Sequence, residues 1–566
     1  MVVFMNKKRL FIYSIIFFFF NFIIINQMYA KRIDHVYRLY LFKDISTLDP
    51  IKINDSQSYE VAYQIYNGLV TYRTKINKNG ENLWDIIPDL AESWDISFDK
   101  KIYTFKLKKN IRFHSGKLLD TWDIKYSFER LLDPRNKSPI WLTSFILPIK
   151  GLKKFQQDCI TGIQNPDLSG LKIIDNNIIS IILDQEFPYT LNVLALPYYY
   201  IVPNEEFTKC CGNYIEHAVG TGIYMLENYK KKQLITLKLN PYYIGEKPYI
   251  KEINYLILSD KNKIFKEFTL ENFEQSHIPE NIFYEIINNK KINSIGTDLL
   301  EKDSFNNPEY SNIIKSPVWK TSYISMNINI PPFNNIKTRH AFNYAINKEN
   351  LITNVLKHHG IVINGVLPKY FPGNNNNNNN NTPYPYNPII ASKLLFEANW
   401  KDKDIDGYLE PPKGKNNLVL WYNPSKIYDK LICEEIKKDL ENIKVKIIIK
   451  PIKKTTPDSE INFFINTIEP LYILPMPKQF FLFYSRLGLN SNFFDPQVDR
   501  LLKKSNFIKD WIRRKEIYNQ IENIIIQQAP SIFLFQFVTY KIFQPYVRNQ
   551  QIHPILPNVI KNIYYN

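Results

Sequence analysis

The sequence predicts an α/β protein of two or three domains, and three observations carry that expectation. Strand-like alternation and helix-like spacing follow one another within one short stretch, both periodicities recur far along the chain, and 566 residues exceed what one compact core holds. The clearest stretch is Ile87–Pro134. Ser97–Lys101 carries polar turn chemistry, after which Tyr103, Phe105 and Leu107 alternate with Thr104, Lys106 and Lys108, the period of a half-buried strand. Gly116 breaks the run and Asp120 is placed to cap the next element. Trp122, Tyr126 and Leu131 then fall at helical spacing before Asp133-Pro134 stops the helix. Further on, Ile235, Leu237 and Leu239 alternate with Thr236, Lys238 and Asn240 as another strand, while Phe342, Ala345 and Ile346 stripe a helix.

One segment is apolar enough to enter a membrane, and it lies at the start. Lys7, Lys8 and Arg9 precede the apolar run Leu10–Ile25, and Met28-Tyr29-Ala30 precedes Lys31. A basic start, a short apolar stretch and a small residue read as a secretory signal peptide over residues 1–30, cleaved after Ala30. An uncleaved anchor is the other reading, because Met28 is not small. No cysteine precedes Cys159, which removes the possibility of a lipid-modified N-terminal cysteine and favours a free periplasmic protein.

The net charge of +17 falls to +14 once the three leader cations are removed. The lysines are scattered among Asn, Ile and Tyr without a long basic run or an RNA-binding aromatic motif, so no nucleic-acid partner is expected. The run Asn374–Asn381, between Pro372-Gly373 and Pro383, belongs to the same compositional bias and reads as a surface loop. Four cysteines are few for a secreted chain of this length. Cys210 and Cys211 are adjacent and poorly placed to bridge each other. One of them could pair with Cys159, leaving Cys433 over.

Catalytic patterns are missing. His114-Ser115-Gly116 lacks the glycine spacing of a nucleophile elbow, and no HExxH, P-loop or CxxC occurs. Gly220-Thr221-Gly222 lacks the third glycine of a dinucleotide site. His358-His359, adjacent before Gly360, would point in different directions from a helix. Asp402, Asp404, Asp406 and Gly407 have the spacing that opens a calcium loop, but the twelfth position is Lys413 rather than Glu, so a plain acidic turn is expected and no metal is assigned.

The wording of Ile87–Pro134 closely resembles the signature region of the family 5 extracellular solute-binding proteins, the oligopeptide- and dipeptide-binding receptors that feed ABC importers. Further blocks follow in that family's order: Leu48–Pro50 with the helix-like segment ending at Gly68, Ala218–Leu226, Leu237–Leu258, Pro331–Ile352, Pro385–Trp400, Phe493–Ser505 and Ala529–Phe543. The resemblance implies an α/β, two-lobed periplasmic binding protein fold of three domains. Mixed sheets are flanked by helices, and the ligand cleft lies between the lobes. In this numbering it implies a discontinuous first lobe over about 31–55, 190–310 and 530–566, an accessory α/β domain over about 56–189 and a distal lobe over about 311–529. The Gly220-Thr221-Gly222 turn would be structural.

The function that the resemblance implies is capture rather than chemistry. A monomer without cofactor would hold a peptide by strand-like hydrogen bonds, close around it and deliver it to an ABC permease at the inner membrane. The same role with a metal chelate, haem or sugar oligomer as cargo is the alternative, and an envelope chaperone or enzyme using the cleft is the reading from another class. Expected ligand contacts are Tyr59, Tyr323, Asn327, Glu469 and Arg486. One departure stands out. Peptide-binding members carry a Trp and an Asp in a W-x-x-D-Y-like segment, the Asp pairing with the ligand's ammonium. The corresponding Phe464–Ser485 contains neither, and Glu469 is its only carboxylate.

Polar low-complexity sequence buries little apolar surface, and loop-closure entropy changes slowly with length. Deleting Asn374–Asn381 is therefore expected to leave the melting temperature within a few degrees of the parent, as differential scanning calorimetry would read directly.

Overall fold

The computed structural model describes residues 35–565 apart from 77–81, 140–145, 188, 206–213, 216, 280–312, 369–382, 414–417, 427, 454, 469–492, 509–510 and 551–557. The expected signal peptide of residues 1–30, Cys210, Cys211, the asparagine run, Glu469 and Arg486 lie outside the described residues.

The first lobe is built on two sheets. In one, β1 (Val36–Leu41) runs parallel to β10 (Glu252–Ile257), which continues antiparallel through β9 (Leu234–Leu239) to β8 (Tyr224–Lys230). The other is antiparallel throughout, in the order β4 (Ala91–Ile96), β5 (Ile102–Leu107), β7 (Ile178–Ile182) and β6 (Leu171–Asp175). Helix α1 (Ser56–Ile65) and the hairpin of β2 (Val70–Ile76) and β3 (Asn82–Pro88) lie in the chain between β1 and β4. A continuous core joins the two sheets, from Tyr37 and Leu39 through Ile65 and Phe105 to Ile253.

The signature stretch folds as its residues dictate. On β5, Tyr103, Phe105 and Leu107 are buried, with Thr104 and Lys106 on the other face. Asp120 caps α2 (Thr121–Leu132) through the Trp122 and Asp123 amides, and Asp123 returns the bond to Asp120 to complete a capping box. The buried side of α2 is Ile124, Phe128, Leu131 and Leu132, whereas Trp122 is 57% exposed. The three residues at helical spacing thus differ in depth: Leu131 is in the core, Tyr126 packs half-buried against it and Trp122 stays at the surface. Helix α3 (Leu152–Thr161) carries Cys159 into this core. Cys159 and Cys433 are both buried free thiols, so Cys159 makes no disulfide, and both act as small apolar core groups.

The distal lobe surrounds one mixed sheet. Its order is β11 (Gln275–His277), β17 (Ser531–Phe543), β12 (Ile313–Met326), β16 (Phe463–Ile468), β14 (Leu418–Tyr422) and β15 (Ile447–Pro451), with β13 (Gly360–Val362) on the free side of part of β17. Helix α4 (Lys261–Thr269) precedes β11. Both faces of the sheet are covered, so neighbouring residues enter different cores. Ile324 joins the side packed by α5 (Ile336–Ala345), α6 (Pro388–Glu397) and α7 (Asp429–Glu441), and Tyr323 joins the side packed by α8 (Pro496–Phe507) and α9 (Trp511–Gln528). Phe342, Ala345 and Ile346 are buried at the α5 end as their spacing implies. After β17 the chain re-enters the first lobe and closes with β18 (Val547–Arg548) paired to β19 (Tyr564–Tyr565).

Several motif residues turn out to be clamps. Asp49, fully buried, takes a bidentate bond from Arg130 of α2 at 2.8 and 2.6 Å. Asp89 accepts both Asn67 Nδ2–H bonds and the Gly68 amide, tying Ile87–Leu90 to the end of α1. His114 accepts from the Gly220 amide through Nδ1 and donates Nε2–H to the Gly222 carbonyl, each at 3.2 Å. Burial lowers its pKa to about 4, so it stays neutral. A Cβ on Gly220 would meet Ile65 O at 2.1 Å and one on Gly222 would meet Gln64 O at 2.4 Å, so the glycine turn packs on backbone.

Breaking a buried ion pair leaves its partner charge unsolvated. Asp49→Ala and Arg130→Met should therefore each destabilise the protein by about 3–5 kcal/mol, and the double variant by less than their sum because no charge is then stranded. Urea unfolding of all three variants measures the difference.

Candidate functional site

The two lobes meet where β11 and β17 pair. Gln544, just after β17, donates Nε2–H to the carbonyls of Phe268 and Phe273 at 2.8 and 3.1 Å. Glu274 accepts from the Arg38 amide and, at 3.0 Å, from Arg38 Nη1, and Tyr37 donates to Gln275 at 3.2 Å. Across the strand, Lys541 Nζ donates to Asn558 Oδ1 at 3.1 Å, while Asn558 donates its side-chain and backbone N–H groups to Glu60 of α1 at 2.8 and 3.1 Å. Burial raises the Glu60 pKa and lowers that of Lys541, each opposed by the attraction between them. The hinge strand is thus fastened to the first lobe through buried and half-buried polar groups.

From this hinge β12 runs outward and β16 returns. Tyr323 and Asn466 sit opposite each other on those strands, and Asn466 Nδ2 donates to the Tyr323 hydroxyl at 2.9 Å. Strand β16 ends at Ile468, opposite Thr321, having run toward the hinge. Asn327 lies at the far pole, about 13 Å further along from Tyr323. There it donates to Asn462 through its amide and its side chain at 2.8 and 2.9 Å and accepts from the Asn329 amide. Tyr59 belongs to the first-lobe core, edge-on to Tyr63 at 6.2 Å. The structure therefore groups Tyr323 with Asn466, a residue that the sequence did not single out, and places Asn327 and Tyr59 in separate surroundings.

Two further features each belong to a single lobe. A cavity of ≈ 390 Å³ is lined by first-lobe residues that include Tyr63, Asn67, Arg73, Asp89, Tyr200 and Lys561. In the acidic turn, the buried Glu410 joins Asp402, Asp404 and Asp406, with one carboxylate oxygen from each within 4.8 Å of the others, so these four could hold a divalent cation. Lys446 already pairs with Asp406 at 3.4 Å, and Glu410 accepts from the Lys403 amide at 2.7 Å.

A cross-lobe contact escaped sequence reasoning. Tyr189, 9% exposed, donates its hydroxyl to the Ser505 carbonyl at 3.4 Å and shares a hydrogen bond with Tyr518. The Arg514 guanidinium lies 5.2 Å from its ring centre. These partners sit more than three hundred positions from Tyr189, and no local pattern signals such a pairing.

A profile of the bacterial extracellular solute-binding proteins, family 5 (middle), matches residues 85–482. The chain belongs to this family. It is 25% identical over 526 residues to heme-binding protein A of Haemophilus influenzae, covering 88% of this chain and 86% of that protein. It is 24% identical over 529 residues to the dipeptide-binding protein of Escherichia coli, covering 88% of each. The unliganded open form of the murein tripeptide-binding protein MppA superposes with a TM-score of 0.71 at 20% identity, over 94% of this chain and 98% of that one. The two-lobed architecture with its cleft between the lobes is the fold of this family. Among the described residues, no helix is long and apolar enough to cross a membrane.

In this family 5 protein one buried carboxylate sets the path of the segment that leaves β13. Glu522 of α9 accepts from the Leu367 amide at 3.0 Å. A Cβ on Gly365 would sit 2.2 Å from its Oε1, so any larger residue there would have to displace the carboxylate. Burial raises the Glu522 pKa to about 7. A raised native pKa means that folding binds the proton more tightly. The stabilisation is full below the ordinary glutamate value and is lost as pH rises through the native one. Between pH 5 and 8 this group should cost on the order of 2 kcal/mol, and Glu522→Gln should flatten that decline. Denaturant unfolding at both pH values, parent against variant, measures it.

Proposed function

We propose that the protein is the periplasmic substrate-binding component of an ABC importer, capturing oligopeptides or dipeptides between its lobes and passing them to a membrane permease. The observation that carries this reading is the hinge. Two lobes with separate cores are joined where β11 meets β17, an arrangement that can open and close without disturbing either core. The E. coli relative's name, which specifies dipeptides, supports the cargo. Export would use residues 1–30 as a cleaved leader, and the monomer would act without a cofactor or turnover of its ligand.

A ligand that prefers the closed arrangement drives closure by that difference in affinity alone. Peptide main chain offers alternating donors and acceptors to exposed backbone, while wet pockets tolerate varied side chains. A free amino terminus enclosed by closure needs a carboxylate, and Glu469, directly after β16, is the candidate we assign. Haem is the second reading, on the strength of the Haemophilus influenzae relative.

Native mass spectrometry of protein purified from its own host should show a ladder of co-purifying peptides; a single haem mass would establish the second reading instead. Glu469→Gln should weaken peptides with free amino termini by about 1–3 kcal/mol, the scale of a charged hydrogen bond, and amino-acetylated peptides much less. Calorimetry with both peptide types decides. Equal affinities of the parent protein for the two would remove the ammonium anchor.

A further inference from the structure

We propose that Tyr189 is a closure-determining residue: it docks the first lobe onto the α8–α9 pair of the distal lobe, at a point separate from the hinge strands, and sets how far the lobes stand apart before ligand arrives. The topology places the contact. Strand β17 begins at the far pole and reaches the first lobe at Phe543, and α9 precedes it in the chain. Helix α9 therefore starts, at Trp511, on the side that faces the first lobe. Arg514 and Tyr518 lie one and two turns in, beside Ser505 near the end of α8. Tyr189 belongs to the first-lobe core, between the end of β7 and Thr190, and Phe187 braces its ring edge-on at 6.4 Å.

The chemistry is specific to this pairing. Arg514 donates Nε–H to the Ile508 carbonyl at 2.8 Å and places a further N–H on the same oxygen, so the distal lobe itself holds the guanidinium over the Tyr189 ring. Such a preset planar cation attracts an aromatic ring without further ordering of a long side chain. The tyrosine hydroxyl reaches past it to the Ser505 carbonyl and Tyr518, in a region where Ser505 and Tyr518 are fully buried. Ring and hydroxyl leave water together when the lobes meet here and return to water together when they part. A contact made in one arrangement and broken in the other shifts the balance between them by its own free energy.

The inference rests on lobe closure as the working motion, but its test uses no ligand, so failure of the peptide reading leaves it standing. Small-angle scattering of ligand-free protein should give a larger radius of gyration for Tyr189→Ala than for the parent. Tyr189→Phe, which keeps the ring, should lie between them. Arg514→Gln should open the protein as well, and its combination with Tyr189→Ala should add little to either alone, since both remove the same contact. Melting curves on every variant separate lobe opening from unfolding. A folded Tyr189→Ala with the parental radius of gyration overturns the proposal, as does strict additivity of the two substitutions.

Discussion

Strand β17 serves both lobes, and the rest of the architecture depends on how it is held. Its first half is central in the distal sheet, between β12 and β13. Its last residues pair with β11, and the chain beyond them enters the first-lobe core. A strand that leaves one core for another carries backbone and side-chain polar groups through a region that neither core covers. Here the problem is met by the Glu60–Asn558–Lys541 chain and by Gln544, which bonds two carbonyls of the segment after α4. A half-buried lysine alone would be costly, but a shared amide between it and a carboxylate satisfies all three. The anchor comes from α1 and from the C-terminal segment, which are far apart in sequence. Either lobe can then move as a body about a fixed strand.

The motif residues acquire physical reasons in this frame. Asp49, Asp89, His114 and the Gly220-Thr221-Gly222 turn contact one another's elements. They weld α1, α2, the β2–β3 hairpin and the start of β8 into one rigid body. Rigidity in each lobe is what allows a small change at the hinge to become a large change at the cleft mouth.

Much of the fold was legible because it rests on local periodicity. The alternation on β5 and β9, the Asp120 cap and the stripe on α5 follow from spacing alone. Helical spacing also places Trp122, Tyr126 and Leu131 on one helix, but it does not say how deep each lies, and the packing of α2 on the first-lobe core decides that. The site was less legible. Tyr323 was singled out, but its partner Asn466 is fixed by strand register over more than a hundred residues. Asn327 is held by Asn462, more than a hundred positions away, another pairing that only strand register sets. Glu410 entered the acidic cluster only because the turn folds back, bringing Glu410 beside Lys401. Contacts of that kind are products of topology, and composition does not contain them.

Capture of cargo requires the two lobes to close around a peptide. Pulsed electron resonance between spin labels installed as unnatural amino acids at Lys153 on α3 and Lys430 on α7, both exposed, reads that motion directly. The distance distribution should move to shorter values when short peptides with free amino termini are added, and should return when they are dialysed away. A distribution unchanged at saturating peptide would contradict it.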